Sequence, residues 1–130
     1  MKKSLLSLGH AIHGLTHAIK TERNLRLFVF GHLLLMLVAL VARVDLFSIL
    51  ASTFVAGLFI TVELLNTAIE RLADTVDDCE KKRNAGHYHH GIKLTKDVGS
   101  AASLIMLTLY IGCIVLITVP YTLYFLLGQA

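Results

Sequence analysis

Residues 46–74 read L-F-S-I-L-A-S-T-F-V-A-G-L-F-I-T-V-E-L-L-N-T-A-I-E-R-L-A-D. No charge interrupts Leu46 to Val62, and then acids begin. Glu63, Asn66, Glu70 and Asp74 follow at i, i+3, i+7 and i+11. At 3.6 residues per turn they fall within an arc of roughly 80° on one helix face. Carboxylates beside lipid are expensive, so they face a bundle interior or a water-filled site and mark function. A helix end emerging into water accounts for Asp74, Asp77 and Asp78. It does not account for Glu63, which sits directly against the apolar run.

The rest of the composition agrees with a membrane-embedded chain. Of its 130 residues 55% are hydrophobic, and the mean hydropathy is +0.70. That is too apolar for an ordinary soluble domain of this size. The expected fold is all-α and integral to a membrane, as one domain. Trp is absent, so an aromatic belt must come from Tyr110, Tyr121, Tyr124 and Phe125.

The net charge is +3, and its distribution gives a topology. Lys2, Lys3, Lys20, Arg23 and Arg26 precede the first apolar run. Arg43 lies between the first two runs. Arg71, Lys81, Lys82, Arg83, Lys93 and Lys96 precede the last, and no Lys or Arg follows Lys96. The positive-inside rule places the N-terminus and the 71–96 segment in the cytoplasm. Three spans satisfy that alternation.

The organisation expected is a surface helix over 1–22, spans over 25–44 and 46–75, a cytoplasmic connection over 76–97 and a last span over 98–127. In the first helix Leu5, Leu8, Ile12, Leu15 and Ile19 share one face, opposite Lys3, His10, His13, His17 and Lys20. Such a pattern suits a helix lying in the membrane interface. The histidines interrupt any signal-peptide core, so these residues are kept in the mature protein. Arg43-Val44-Asp45 reads as a tight turn. Pro120 is expected to kink or end the last span. Gly99-Ser100-Ala101-Ala102 suits close helix approach. Cys79 and Cys113 fall in different compartments of this topology, so no disulfide joins them.

Three constellations carry chemistry. The acidic row on the second span offers oxygen ligands of the kind Mg²⁺ takes, usually one or two carboxylates with phosphates and waters completing the shell. A further carboxylate can serve as a general base toward a hydroxyl. Lys96, in Thr95-Lys96-Asp97-Val98-Gly99-Ser100, is a compact cation suited to phosphate. Asp97 fits either a helix cap or a site residue. Glu22 is the one acid in the first 44 residues. It fits either a salt bridge or a metal-binding carboxylate brought from another helix.

Two other motifs are set aside. Gly86-His87-Tyr88-His89-His90-Gly91-Ile92-Lys93 has Ile between Gly and Lys, lacks a following Ser or Thr and follows no strand, so it is not a phosphate-binding loop. His87, His89 and His90 lack the Cys or the i, i+4 spacing of a zinc site and read as a solvated loop.

Together these blocks resemble the small prokaryotic diacylglycerol kinase family, which includes the undecaprenol kinases. The signature E-x-x-N-(S/T)-x-(I/V)-E-x-x-x-D is matched from Glu63 to Asp74, and a second block from Lys96 to Ala102. Glu22-Arg23-Asn24-Leu25-Arg26 is similar to the family's N-terminal acidic motif. The similarity covers about residues 10–115.

The resemblance implies a homotrimer of three-span protomers with an N-terminal surface helix. It implies active sites shared between protomers at the cytoplasmic interface and transfer of the ATP γ-phosphate to a lipid hydroxyl, diacylglycerol or undecaprenol. By position, Glu63 resembles the general base. Glu22 and Glu70 resemble the pair holding Mg²⁺ with ATP. Asn66 resembles a residue orienting the base or a phosphate oxygen, and Lys96 the phosphate-neutralising cation. Asp74, Asp97 and His10 are taken as nucleotide-site residues. Ser100 is placed with Asn66 and Glu63 on the acceptor side. No nucleic-acid partner is expected.

Two other functions fit parts of the pattern. A small proton- or cation-coupled transporter needs its acid near mid-span, whereas the charge rule puts Glu63 at the cytoplasmic end. A non-catalytic scaffold leaves Glu22 and the Lys96-Asp97 block without a role.

Overall fold

Lipid leaves a spanning backbone no partner but itself, so long apolar segments become helices. A computed structural model describes residues 2–83 and 90–127. Among these residues there are helices and no strands. They are α1 (Lys2–Thr21), α2 (Arg23–Val41), α3 (Leu46–Arg83) and α4 (His90–Leu127). Three of them, α2, α3 and α4, are long and apolar enough to cross a membrane. The 19 residues of α2 rise about 28 Å, close to the ~30 Å of hydrocarbon. The 38 residues of α3 rise about 57 Å, so nearly half of it must project.

The helices α3 and α4 form the main pairing. Phe59, Asn66 and Ala73 of α3 are buried, as are Ser103 and Tyr110 of α4. Both sets recur every seven residues, the spacing that keeps one seam facing a partner helix. Ser52, Ala56 and Thr67 are also buried, and side chains this small let two helices approach closely. The closest approach is at Gly99, where a Cβ would overlap Asn66 Oδ1. Most other large apolar side chains point outward, including Leu33, Leu37, Phe47, Phe54 and Leu116. Contiguous apolar surface on this scale requires lipid or other chains as solvent.

Two short joints set the helix directions. Glu22 alone separates α1 from α2, with extended backbone at φ −90°, ψ 110°. Leu25, fully buried, and Ala18 pack on either side of this joint. At the other end of α2, Val44 N–H donates to Ala39 O at 3.0 Å and Arg43 N–H to Leu40 O at 3.2 Å. With Arg43 at φ 56°, this is a Schellman ending that places Arg where Gly is usual. Asp45 then caps α3, accepting from Ser48 N–H at 3.0 Å and from Ser48 Oγ at 2.6 Å. Tyr121 of α4 donates to the same carboxylate at 2.5 Å and accepts from Asp45 N–H at 3.1 Å. The expected turn is present, and α4 is tied to it.

Two local expectations are corrected. The connection expected over 76–97 is helical at both ends, since α3 continues to Arg83 and α4 starts at His90. Residues 76–83 are polar but contain no Gly or Pro, and Asp77 pairs with Lys81 at i+4 across 2.5 Å. Polarity alone does not end a helix. Asp97 therefore lies well inside α4 and does not cap it. Of the kink or end expected at Pro120, the end does not occur, since α4 runs through it. His87 and His89 lie outside the described residues. Both cysteines are free.

Candidate active site

The face of α3 opposite its lipid-facing side presents the acidic row to the other helices. A cavity of about 720 Å³ opens there, between the α1–α2 joint, α3 and the 100–107 stretch of α4. Glu22, Glu63, Asn66, Glu70 and Ser100 all line it. Leu27, Phe28, Phe59, Leu104 and Leu107 line it as well. On α3 Phe59 precedes Glu63 by one turn, and on α4 Leu104 and Leu107 follow Ser100. The cavity thus grades from carboxylates to aromatic and aliphatic side chains along the bundle axis. Glu63 lies 17 residues after Leu46, about 26 Å along α3, which is close to a full hydrocarbon thickness. That is the wrong depth for a mid-span transport site.

Each acid in the cavity is held differently. Glu70 Oε1 accepts from Asn66 Nδ2 at 3.0 Å and lies 3.5 Å from Ser100 Oγ. Asn66 is buried, and its Oδ1 lacks a hydrogen-bond donor because it faces Gly99. Glu22 Oε1 accepts from Arg71 Nη2 at 2.9 Å. Glu63 is half-buried and has no hydrogen-bond or ion-pair partner among the described residues. Seven residues separate Glu63 from Glu70, about 10 Å of rise. One acid is therefore at the apolar part of the cavity and the other at its polar mouth.

Beyond the mouth, Lys96 Nζ meets Asp74 Oδ1 at 2.6 Å. Asp74 is one turn past Glu70 on α3, and Lys96 one turn before Ser100 on α4, so the pair borders the cavity without lining it. Asp97 is exposed and does not line the cavity. His10 is exposed on α1 and is likewise outside the lining. The structure thus brings together Glu22, Glu63, Asn66, Glu70 and Ser100, sets Asp74 and Lys96 beside them, and leaves Asp97 and His10 apart.

Phe28 and Phe59 were not marked by the sequence, and Arg71 was marked only as one of the cytoplasmic cations. Arg71 occupies a variable position of the acidic signature, and its partner is 49 residues away, so no local spacing marks it. Phe28 packs on Phe59 with ring centroids 4.1 Å apart and on Tyr110 at 4.8 Å. Tyr110 in turn shares a 2.9 Å hydrogen bond with His32 Nδ1. His32 is thus a half-buried side chain partnered at Nδ1, with its Nε2 unpaired.

Among the described residues no three His, Cys, Asp or Glu side chains come together as a protein-only metal site. Mg²⁺ does not require one, since it keeps waters and binds through one or two carboxylates plus phosphates. Glu22 and Glu70, hard oxygen donors lining one cavity, suit that role.

The model of the prokaryotic diacylglycerol kinase family matches residues 9–118. The chain belongs to that family. A diacylglycerol kinase from Synechocystis sp. (strain ATCC 27184 / PCC 6803 / Kazusa) is 28% identical over 102 residues, 78% of this chain and 54% of that protein. The chain thus spans about half the length of this curated relative. Membership of the diacylglycerol kinase family agrees with the absence from the sequence of a Walker-type loop. It also fits a membrane protein whose polar site sits at one end of its spans.

Proposed function

We propose that this protein is a membrane lipid kinase that transfers the γ-phosphate of ATP to the hydroxyl of diacylglycerol or undecaprenol. The observation that carries the proposal is the graded cavity. One continuous space has the tethered carboxylates Glu22 and Glu70 at its mouth and the free Glu63 farther in, beside Phe28, Phe59 and Leu107. A lipid alcohol presents the same gradient, with a hydroxyl above an apolar tail.

Glu63 is the general base. It is unpartnered at the apolar part of the cavity, within reach of a hydroxyl whose tail lies along Phe59 and Leu104. It takes the hydroxyl proton as the lipid oxygen bonds to the γ-phosphorus. The bond from that phosphorus to the β–γ bridging oxygen breaks, and ADP leaves with the electron pair. Glu22 and Glu70 would hold Mg²⁺ together with the nucleotide phosphates. When bound, the ion neutralises the charge of the transferring group. Asn66 and Ser100 fix Glu70. Lys96 turns from Asp74 to a phosphate oxygen, and Asp74 and Asp97 border the nucleotide. His10 belongs to a cover supplied by α1. Phosphoryl transfer asks mainly for positioning and charge neutralisation, so this set suffices.

The assembly proposed is a homotrimer in the bacterial inner membrane. The N-terminus and the 76–97 segment are cytoplasmic, α1 lies on the surface, and neighbouring protomers complete each cavity. Exposed Leu8, Ile12 and Leu15 on α1 support its surface placement. A radiolabelled ATP assay in mixed micelles offering both acceptors tests the activity. Label in one or both lipids supports it, and label in neither refutes it.

A further inference from the structure

Arg71 stands outside the cavity lining, yet it governs one of the carboxylates inside. Its Nη2 donates to Glu22 Oε1 at 2.9 Å and to Thr21 Oγ1 at 2.6 Å. Thr21 Oγ1 is itself tied to His17 O at 3.0 Å, so the guanidinium grips the last turn of α1 and the joint together. Glu22 is the one non-helical residue between α1 and α2. Its side chain makes no cap bond to α2, and apart from a long 3.3 Å contact with Thr21 Oγ1 its carboxylate is held, among the described residues, by Arg71 alone.

The way Glu22 is held matters more than the strength of the pair. The two side chains are 44% and 33% exposed, where an ion pair adds little to stability. Both neighbours of the carboxylate use the same oxygen: Arg71 at 2.9 Å and Thr21 Oγ1 at 3.3 Å. Oε2 has no partner among the described residues. Glu70 repeats the pattern, with Asn66 at 3.0 Å and Ser100 at 3.5 Å both on Oε1. Each acid is tethered by one oxygen and presents the other. Tethers of this kind orient metal-binding carboxylates, and their removal typically costs 10–100-fold in affinity.

We propose that Arg71 is a positioning residue that holds Glu22 Oε1 so that Oε2 faces the divalent cation of the bound nucleotide. This rests on Glu22 being a cation ligand. Arg71 follows Glu70 directly on α3, so it also fixes where the α1–α2 joint sits relative to the second carboxylate.

The test uses the full-length protein in detergent micelles and the Mn²⁺ complex of a non-hydrolysable ATP analogue, with bound Mn²⁺ read by electron paramagnetic resonance. Arg71→Gln is expected to weaken binding about 10–100-fold. Arg71→Lys, which keeps the charge but replaces the planar guanidinium Nη2 that serves both Thr21 and Glu22 with a flexible, more strongly hydrated ammonium, is expected to fall between. In a Glu22→Gln background, Arg71→Gln is expected to add nothing. Binding by Arg71→Gln within twofold of the parent overturns the proposal, as does an equal loss in both backgrounds. If Arg71→Gln does not fold, parent-like binding by Arg71→Lys in which Glu22→Gln is defective overturns it. Unchanged binding by Glu22→Gln removes Glu22 from the cation site and the proposal with it. A defective Glu22→Gln beside a normal Arg71→Gln sinks the proposal alone and leaves the kinase intact.

Discussion

Asn66 and Gly99 face each other at the tightest point between α3 and α4, with Asn66 Oδ1 in the space a Cβ on Gly99 would fill. The other end of the same amide holds Glu70 at 3.0 Å. Helix approach and carboxylate placement are therefore one arrangement. A methyl group at position 99 must push Asn66 away or part the helices. Gly99→Ala is expected to destabilise the protein by about 1–3 kcal/mol, as overpacking does, and to lower turnover with it. Thermal denaturation in detergent, run beside the kinase assay, measures both. Parent values for both would remove the contact's significance.

Glu63 has a different signature from the tethered acids. Because nothing in the described structure depends on its carboxylate, Glu63→Gln is expected to keep its melting temperature and its nucleotide affinity. Turnover is expected to fall about 10²–10⁴-fold, the usual contribution of a general base. Single-turnover kinetics with saturating ATP checks this, and a defect confined to KM would contradict it.

Lys96 and Asp74 are exposed partners at 2.6 Å, so neither should matter much to folding. If Lys96 leaves Asp74 for phosphate, the two substitutions differ. Lys96→Ala is expected to lower kcat/KM for ATP about 10²-fold or more, the scale of losing one charge-stabilising donor. Asp74→Asn is expected to have a smaller effect, since the cation remains. Steady-state kinetics at two ionic strengths separates them. Equal losses would mean that the pair acts only as a pair.

Asp45 gives the pH dependence. The Ser48 hydroxyl, followed by Tyr121, holds its carboxyl down to about 2, below the roughly 3.9 of an unperturbed Asp. The folded state thus favours the ionised form. Its contribution is fully present above about pH 4 and is lost as pH falls through 2. Tyr121→Phe removes one of the hydrogen bonds and is expected to raise this pKa. Asp45→Asn is expected to flatten the stability profile between pH 2 and 4. Carboxyl-detected NMR titration follows the first, and acid denaturation in detergent the second. A Tyr121→Phe titration at the parent value would show that the tie to α4 is not made.

Much of the site was legible because its members are strongly constrained locally. Glu63, Asn66 and Glu70 share a face through helix geometry alone, and an acid at the edge of an apolar run stands out by its solvation cost. Asp97 looked equally well placed because its helix was expected to start near Val98, while α4 starts at His90. The Asp77–Lys81 pair and the lack of Gly or Pro carry α3 past its expected end at Thr75. Arg71 and its partner Glu22 were separately visible as ordinary charges. Nothing local joins residues 49 positions apart.

The sequence by itself determined the three apolar helices, the row on α3 and the small residues where α4 crosses it. These follow from periodicity and from the refusal of lipid to solvate backbone or charge. Only the tertiary structure decided which oxygens are tethered and which are free. It turned Asn66 toward Glu70, set Arg71 on Glu22 and left Glu63 unpartnered in the cavity. Such choices depend on how helices distant in sequence are rotated and spaced, and a single substitution at Gly99 is enough to disturb them.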